Sequence, residues 1–408
     1  MAPRVVLGVA GGIAAYKACE LLRLLTESGH DVTVVPTPAA LNFVGAATWE
    51  ALSGKPVHTQ VWQRADEVRH VRLGQQADLV VVAPATADLL ARAAHGMADD
   101  LLTNVLLTAR CPVVFAPAMH TEMWQHPATQ ANVATLRQRG ALVIEPATGR
   151  LTGADSGPGR LPEPAQLFAA ISRVLASRAP GNPGALDLAG RRVVVSAGGT
   201  REFVDPVRFL GNRSSGRQGY ALAGTAIARG AEVTLVSANV ALADPAGAKV
   251  VRVGTAEELG AAVLEAAACA DAVVMAAAVA DFRPADPSPS KLKKSSGAPA
   301  PIRLVENADV LAELGRRKSA HQVVVGFAAE TNDAVANGVA KLAAKGADFL
   351  VVNEVGSTKG FEVAENAATI LGADGSSVVV PLGSKEALAD RVWDLVAAAL
   401  DVHQPRHQ

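Results

Sequence analysis

An α/β protein of two Rossmann-like units, each with a parallel sheet, is what the sequence predicts, and three observations predict it. Short apolar runs recur along the chain, each followed by a turn and then a helical pattern. That pattern stops at Ala179-Pro180-Gly181-Asn182-Pro183-Gly184, a cluster without apolar periodicity, and restarts beyond it. The 408 residues, 50% hydrophobic and 19% charged, suffice for two full cores.

In the front half the strand candidates are Val5 to Ala10, Val32 to Val35, Leu79 to Ala83, Val113 to Ala116 and Leu142 to Ile144. Nearly uninterrupted apolar runs of this kind belong to strands covered on both faces. In the rear half the candidates are Val193 to Ala197, Glu232 to Val236, Ala272 to Ala276, Gln322 to Gly326 and Phe349 to Val352. Ala-rich helical segments, Ala221 to Arg229 and Glu257 to Ala268, separate some of them. The expected division is a first domain over 1–178, a linker over 179–190 and a second domain over 191–408. Ligands of doubly wound sheets bind beyond the carboxyl ends of the strands, so the segment after each strand is where chemistry is expected.

A formal charge of −1, from 38 basic and 39 acidic residues, provides no global field for nucleic acid or an anionic membrane. Any phosphate site is therefore local. Cys19, Cys111 and Cys269 are widely spaced, odd in number and without a CxxC pair, which argues against a disulfide framework or a zinc knuckle and fits a reducing cytoplasm. Val5 to Ala10 ends in Gly11-Gly12 and feeds a helix with Lys17 and Glu20, so it reads as a buried strand rather than a signal peptide. The uncharged stretch Val32 to Trp49 is broken by Pro36, Pro38, Asn42 and Gly45, unlike a membrane span.

After the first strand, Gly11-Gly12-Ile13-Ala14-Ala15 lets a backbone approach a phosphate at a helix N-terminus, and it equally suits a tight packing turn. The second strand leads into Pro36-Thr37-Pro38-Ala39 and the third into Ala83-Pro84-Ala85-Thr86-Ala87-Asp88, both with hydroxyls at the same sheet edge. Three such loops converging make a ligand site. His70, just before the third strand, is by itself compatible with an ordinary surface histidine. After the fourth strand comes Pro117-Ala118-Met119-His120-Thr121-Glu122-Met123-Trp124, whose Met and Trp also suit a core.

His70 in its context, the Pro84-Ala85-Thr86 string with Asp88, and the PAMxxxMW string together resemble the homo-oligomeric flavin-containing cysteine decarboxylases, in their phosphopantothenoylcysteine decarboxylase branch. The resemblance covers about the first 175 residues. It implies a flavodoxin-like sheet that binds FMN, with Gly12, Thr37, Thr86 and Met119 at the flavin and His70 as catalytic base. Loss of CO₂ from a cysteine carboxylate needs an electron sink, which oxidation of the thiol end by a flavin creates. Two positions depart from the pattern. His120 stands where the family has Asn at the substrate carboxylate, although an imidazole nitrogen also donates hydrogen bonds. The family's substrate flap carries a proton-donating Cys. Aligned on Gly157, Gly159 and Arg160, the Cys position here is Gly153, so the last proton must come from elsewhere or the late step differs.

Beyond the linker, Ser196-Ala197-Gly198-Gly199-Thr200-Arg201 precedes a loop containing Asn212-Arg213-Ser214-Ser215-Gly216 and then a helix. Backbone N–H groups, hydroxyls and guanidinium would surround an anion there, and the bare pattern also admits a dinucleotide. As a string, SAGGTxExxDPVRxxxNxSSG resembles phosphopantothenate-cysteine ligases. Lys291-Leu292-Lys293-Lys294 alone would be a solvated charge run, but near Asp281 it resembles that family's mobile lysine loop. Met275-Ala276-Ala277, Asn307-Ala308-Asp309-Val310 and Phe327 match further segments, so resemblance spans nearly the whole chain.

The ligase resemblance implies activation of a carboxylate by CTP as an acyl-cytidylate, with Mg²⁺ and cations neutralising the phosphates. It gives Asn212 to the intermediate and Lys291 to its formation or turnover. Gly199, Ser214, Ser215, Gly216, Asp281, Lys341 and Lys345 join the segments above at CTP. Lys341 and Lys345, four apart on one helix face, equally suit solvent. The implied partners are 4′-phosphopantothenate, L-cysteine and CTP, with no nucleic acid or membrane, in a homo-oligomer that family analogy makes a dodecamer of decarboxylase trimers joined through ligase dimers. Metal ligands stay undefined. Two Rossmann-like units also admit a nicotinamide-dependent oxidoreductase, but neither Gly-rich turn is GxGxxG with an acidic residue at the usual distance. A flavin-binding member without decarboxylation is left open by Gly153 and His120. A non-enzymatic nucleotide-binding module would not need both halves.

Overall fold

The computed structural model describes residues 2–59, 69–150, 156–176, 186–293, 301–330, 334–354 and 365–403. The chain divides into two compact units. One holds 1–190 with the short segments 227–231 and 245–248, and the other holds 191–226, 232–244 and 249–408.

The first unit carries β1 (Arg4–Val9), β2 (Asp31–Pro36), β3 (Leu79–Ala85), β4 (Val113–Pro117) and β5 (Leu142–Val143) in the order β2-β1-β3-β4-β5, every neighbouring pair parallel. All seven residues of β3 are buried. Helices cover both faces, which is why the run is uniformly apolar. The helices are α1 (Ala15–Glu27), α2 (Ala46–Ser53), α3 (Arg69–Gln76), α4 (Ala87–His95), α5 (Leu101–Thr108), α6 (Thr121–Gln125), α7 (Pro127–Gln138) and α8 (Pro164–Ala176). Helix α1 buries Ala15, Ala18, Leu21, Leu22 and Leu25, one face at helical spacing, each leucine contributing about 1.5–3 kcal/mol. An antiparallel pair, β6 (Ala147–Arg150) with β7 (Ser156–Arg160), follows the sheet.

Residues 177–185, most of the expected linker, lie outside the described residues, whereas its end folds back. Leu188 is buried and donates its N–H to the Arg229 carbonyl, and the Arg229 guanidinium binds the Asp187 carboxylate.

The second unit contains β8 (Arg192–Gly198), β9 (Arg201–Phe203), β10 (Phe209–Gly211), β11 (Glu232–Ala238), β12 (Ala248–Val253), β13 (Ala272–Met275), β14 (Phe282–Pro284), β15 (Leu304–Glu306), β16 (Val323–Glu330), β17 (Phe349–Glu354), β18 (Glu365–Gly372) and β19 (Ser377–Ser384). Its helices are α9 (Arg217–Ala228), α10 (Ala256–Ala267), α11 (Val310–Arg317), α12 (Ala334–Lys345) and α13 (Lys385–His403). The main sheet runs β12-β11-β8-β13-β16-β17-β18-β19. From β11 to β17 the pairs are parallel as expected, but β18 and β19 add two antiparallel strands. These were not legible as strands of a parallel sheet. In β19 only Val380 is buried, and Val379 and Leu382 are exposed, because this strand is an edge with one face in solvent.

Buried residues of α10, α11 and α12, among them Leu259, Leu314 and Leu342, form one core cluster with Val194, Val273 and Val324 of the sheet. Helices α9 and α13 cover the other face, joined by the Trp393 indole N–H donating to the Leu222 carbonyl at 2.9 Å. Among the described residues no helix is long and apolar enough to cross a membrane.

Candidate functional sites

In the first unit the loops beyond the carboxyl ends of the strands meet. A Cβ on Gly11 would lie 2.5 Å from the Ala39 Cβ, and one on Gly12 would lie 3.6 Å from the Thr86 Cγ2. Gly11 is therefore required by packing, whereas Gly12 faces the Thr86 loop with room to spare. The Ala10 N–H donates to the Pro84 carbonyl at 3.1 Å, and the Ala118 N–H to the Ala85 carbonyl at 3.0 Å. Thr37 and Thr86 both act as helix caps, their hydroxyl oxygens accepting the N–H groups of Ala40 and Leu89. Their hydroxyl hydrogens stay available for donation. At the start of α1, Ala14 makes no side-chain cap, so the first-turn amides meet no side-chain oxygen of their own.

Helix α3 precedes β3 and packs against α5, with His70 beside the last residue of α5. The His70 carbonyl accepts the Thr108 hydroxyl at 2.9 Å, while the ring Nδ1 is buried with no hydrogen-bond partner. A buried ring nitrogen without a partner is costly unless a ligand or substrate completes it. Met119 donates its N–H to the Gly159 carbonyl at 2.9 Å, and a Cβ on Gly159 would sit 2.2 Å from the Met119 carbonyl oxygen. Gly157 abuts Thr121 in the same way. The roots of the predicted flap are thus fastened to the loop holding His120, whose imidazole is exposed and makes no cap bond to α6. Arg160 pairs with Glu163 at 2.6 Å. Trp124 belongs to the core, and Met123 is exposed. Gly153 lies outside the described residues. A cavity of about 290 Å³ lies at the other edge of this sheet, lined by Arg4, Asp31 and Lys55.

A helix start without a side-chain cap and a glycine facing a threonine side chain at one sheet edge fit a phosphate-bearing flavin. Gly12, Thr37, Thr86 and Met119 are the residues at hand to hold it.

In the second unit Gly198 adopts φ +88°, and a Cβ there would lie 2.0 Å from the Ala238 carbonyl oxygen, so only glycine closes this turn. Gly199 lies against the Asn212 carbonyl. The segment from Met275 to Asp281 is held from several sides. Ser196 Oγ accepts from the Ala277 N–H and donates to Met275 Sδ, and Thr200 Oγ1 accepts from the Ala280 N–H at 2.9 Å. The Asn212 amide donates to the Val279 carbonyl at 3.0 Å and the Asn307 amide to the Ala280 carbonyl at 2.7 Å. Asn212, Asp281 and Asn307 are therefore neighbours through one loop. Gly216 precedes α9 and accepts the Tyr220 N–H, with its own N–H on Ser214 Oγ; Ser215 is half-buried between them.

Asp309 caps α11 through the Ala312 N–H and binds the Lys345 ammonium. Burial works to raise the Asp309 pKa, but the Lys345 hydrogen bond and the cap outweigh it and hold the carboxyl below its ordinary value. Lys341 stands one turn earlier on α12, with Phe327 half-buried at β16, Val310 buried and Ala308 exposed. Lys291 is exposed, and Lys294 lies outside the described residues.

Sequence reasoning missed Asp205 and Arg208 as organisers of this site. Asp205, 1% exposed, accepts the N–H groups of Val207, Arg208 and Leu292, and its hydrogen bonds from the Arg208 guanidinium hold its carboxyl well below the usual range. Arg208 also donates to the Leu292 carbonyl at 2.8 Å, and Ser288 donates its N–H to the Val204 carbonyl. The Asp205-Pro206-Val207-Arg208 string was the available signal. Its role depends on contacts 87 positions away that no local pattern reveals.

The two units and their sites define a flavoprotein joined to a second α/β catalytic domain. Residues 1–176 match the family model Flavoprotein, and residues 188–400 match the model for the C-terminal domain of DNA/pantothenate metabolism flavoproteins. The chain is 59% identical over 407 residues to the coenzyme A biosynthesis bifunctional protein CoaBC of Mycolicibacterium smegmatis, covering 97% of this chain and 98% of that one. Identity to the protein of the same name from Mycobacterium tuberculosis is 58%, with 97% of each chain covered. For that of Vibrio parahaemolyticus it is 42%, with 96% and 97% covered. This chain belongs to the CoaBC family, and it is an enzyme of coenzyme A biosynthesis with a decarboxylase half and a ligase half.

Proposed function

We propose that the chain carries out two consecutive steps, with the residue roles as follows. The second unit joins 4′-phosphopantothenate to L-cysteine with consumption of CTP, releasing pyrophosphate and then CMP. The first unit decarboxylates the product, 4′-phosphopantothenoylcysteine, to 4′-phosphopantetheine. Family membership over the whole length supports the pairing. The observation that carries the first site is the buried, unpartnered Nδ1 of His70.

In ligation, Asn212 orients the carboxylate and then the acyl-cytidylate, for which its tether to Val279 places it beside the CTP loop. Lys291 and the lysine loop meet the triphosphate, where charge builds as pyrophosphate leaves. Gly199, Ser214, Ser215 and Gly216 offer hydroxyls and backbone N–H groups to the phosphates. Met275 to Ala277, Asp281, Asn307 to Val310, Phe327, Lys341 and Lys345 surround the rest of the nucleotide. Among the described residues no cluster of three or more His, Cys, Asp or Glu side chains stands ready for a metal. Mg²⁺ therefore fits as an ion carried on the phosphates.

In decarboxylation, bound FMN supplies the oxidising and reducing equivalents that create and then remove the electron sink. His70 takes and returns the proton at its unpartnered nitrogen. His120 donates a hydrogen bond to the substrate carboxylate, and the flap rooted at Gly157, Gly159 and Arg160 excludes water. The flap loop brings Gly153 in place of a cysteine, so the final proton reaches carbon from another donor.

A homo-oligomer of trimers joined through dimers completes the reading, in the cytoplasm. Exposed Ile13 and Tyr16 beside the flavin edge support the first contact. Exposed Phe203, Phe209 and Phe282, brought together where β14 lies along β9, support the second.

Purified protein should be yellow. With 4′-phosphopantothenate, cysteine, Mg²⁺ and CTP it should release pyrophosphate and then CO₂. Pyrophosphate without CO₂ would remove the decarboxylase role from the first unit, and a colourless protein inert toward CTP would remove both.

A further inference from the structure

Replacing a carboxylate by hydrogen, with CO₂ leaving, consumes a proton in every turnover, and that proton has to reach the carbon that carried the carboxylate. Its donor must therefore stand at the carboxylate position and be reloaded from water after each cycle. His120 meets both demands. Its side chain is exposed, and among the described residues its ring makes no hydrogen bond, to α6 or elsewhere. Its backbone is fixed: the carbonyl accepts the Trp124 N–H at 3.0 Å, and a Cβ on Gly159 of the flap root would lie 3.4 Å from the His120 carbonyl carbon. A free imidazole on a held backbone can turn between solvent and a bound substrate. Histidine is also the side chain that gains and loses a proton most readily near neutrality.

Other donors of the first unit fail one demand or the other. The segment 147–160 contains no cysteine. Cys111 precedes β4, at the amino end of the sheet, and Cys19 lies half-buried in the second turn of α1 with its thiol toward the Ala15 carbonyl. The unpartnered nitrogen of His70 is buried, away from the water that must reload it. Thr121 Oγ1 is buried without a partner against Gly157, and a hydroxyl shut off from water is both slow to reload and a far weaker acid than an imidazolium. Glu163 is taken up by Lys17 at 2.9 Å and Arg160 at 2.6 Å.

We propose that His120, besides binding the substrate carboxylate, donates the proton that replaces it on carbon. The proposal rests on the decarboxylase reading above. An imidazolium pairs with the carboxylate first, and holds its proton beside the same carbon once CO₂ has left. The enethiolate then takes that proton. The N–H bond breaks, the electron pair of C=C forms the new C–H bond, and a sulfur lone pair closes C=S. The neutral ring regains a proton from water. The C=S carbon is reduced with the equivalents that the decarboxylase activity already supplies, and His70 returns its proton to sulfur. An amide at this position could bind the carboxylate but has no acidic proton to give.

Full-length protein loaded with FMN is given 4′-phosphopantothenoylcysteine, as wild type, His120→Asn and His120→Ala, while CO₂, the organic product and the yellow flavin absorbance are followed together. In His120→Asn, CO₂ is expected to reach about one equivalent per subunit and stall, with the flavin bleached and an enethiol in place of the saturated thiol. Steady formation of the thiol should fall about 100-fold or more. Imidazole added to His120→Ala should restore both the thiol and the yellow colour, which a purely structural role of the side chain would not allow. Saturated thiol at the wild-type rate in His120→Asn would overturn the assignment, as would failure of imidazole to relieve the stall. A His120→Asn protein that neither releases CO₂ nor bleaches would also overturn it, because His120 would then act before carbon is protonated. Wild-type protein that releases no CO₂ would overturn the decarboxylase reading, a different failure.

Discussion

Asp205, buried on the turn between β9 and β10, accepts the backbone N–H of Leu292 at 3.1 Å, so one carboxylate fixes the root of the lysine loop. The same carboxylate binds the Arg208 guanidinium, which reaches on to the Leu292 carbonyl. Held next to the anchored Leu292, Lys291 is confined to a restricted volume, which would raise the rate through positioning. Asp205→Asn keeps the shape but lets the amide compete with the N–H donors. Ligase kcat should fall about tenfold or more with CO₂ release from supplied 4′-phosphopantothenoylcysteine unchanged, and an unaltered ligase rate would show that the anchor is dispensable.

His70 and Asn212 belong to different units, so their substitutions should separate the activities. His70→Asn should abolish CO₂ release and spare pyrophosphate release, by loss of a proton-transfer group worth about 10²–10⁴ in rate. Asn212→Asp should do the reverse, because a carboxylate repels the carboxylate it has to orient. Parallel loss of both activities in either variant contradicts the two-site assignment.

Gly159 has φ +150° and passes so close to Met119 that a Cβ would lie 2.2 Å from its carbonyl oxygen. Gly159→Ala should therefore push the flap root off the loop carrying His120, at a local cost of about 1–3 kcal/mol. Decarboxylation should drop while ligation persists. Normal CO₂ release would mean that this contact does not position the flap.

The Asp309 carboxyl, partly exposed and paired with Lys345, has a folded pKa below its unfolded value of about 3.9. Its stabilisation is thus fully present above that unfolded value and is lost as pH falls through the folded one. Solvent screening limits it to below about 1 kcal/mol. Lys345→Met should lower the urea midpoint slightly at neutral pH, with the difference closing below about pH 4 as Asp309 protonates. A difference constant with pH would mean that the pair contributes nothing through its charge.

Much of this molecule is legible in one dimension. Uniformly apolar runs such as Leu79 to Ala83 mark buried parallel strands by their length and their lack of alternation, and turn residues at their ends mark the ligand edge. Strings dense in glycine, serine and asparagine carry the ligase resemblance. The edge strand β19 was not legible, since most of its residues meet water and its apolar run is short.

By itself the sequence determined the α/β class, the two units and the turns at the strand ends, because local periodicity and steric demand at glycine are written in adjacent positions. Only the tertiary structure decided that the Asp205 carboxylate reaches Leu292, that His70 keeps a buried nitrogen unpartnered, and that the Asn212 amide reaches the Val279 carbonyl. Those relationships join residues far apart in the chain, and their energies depend on burial and distance, which no spacing along the chain contains.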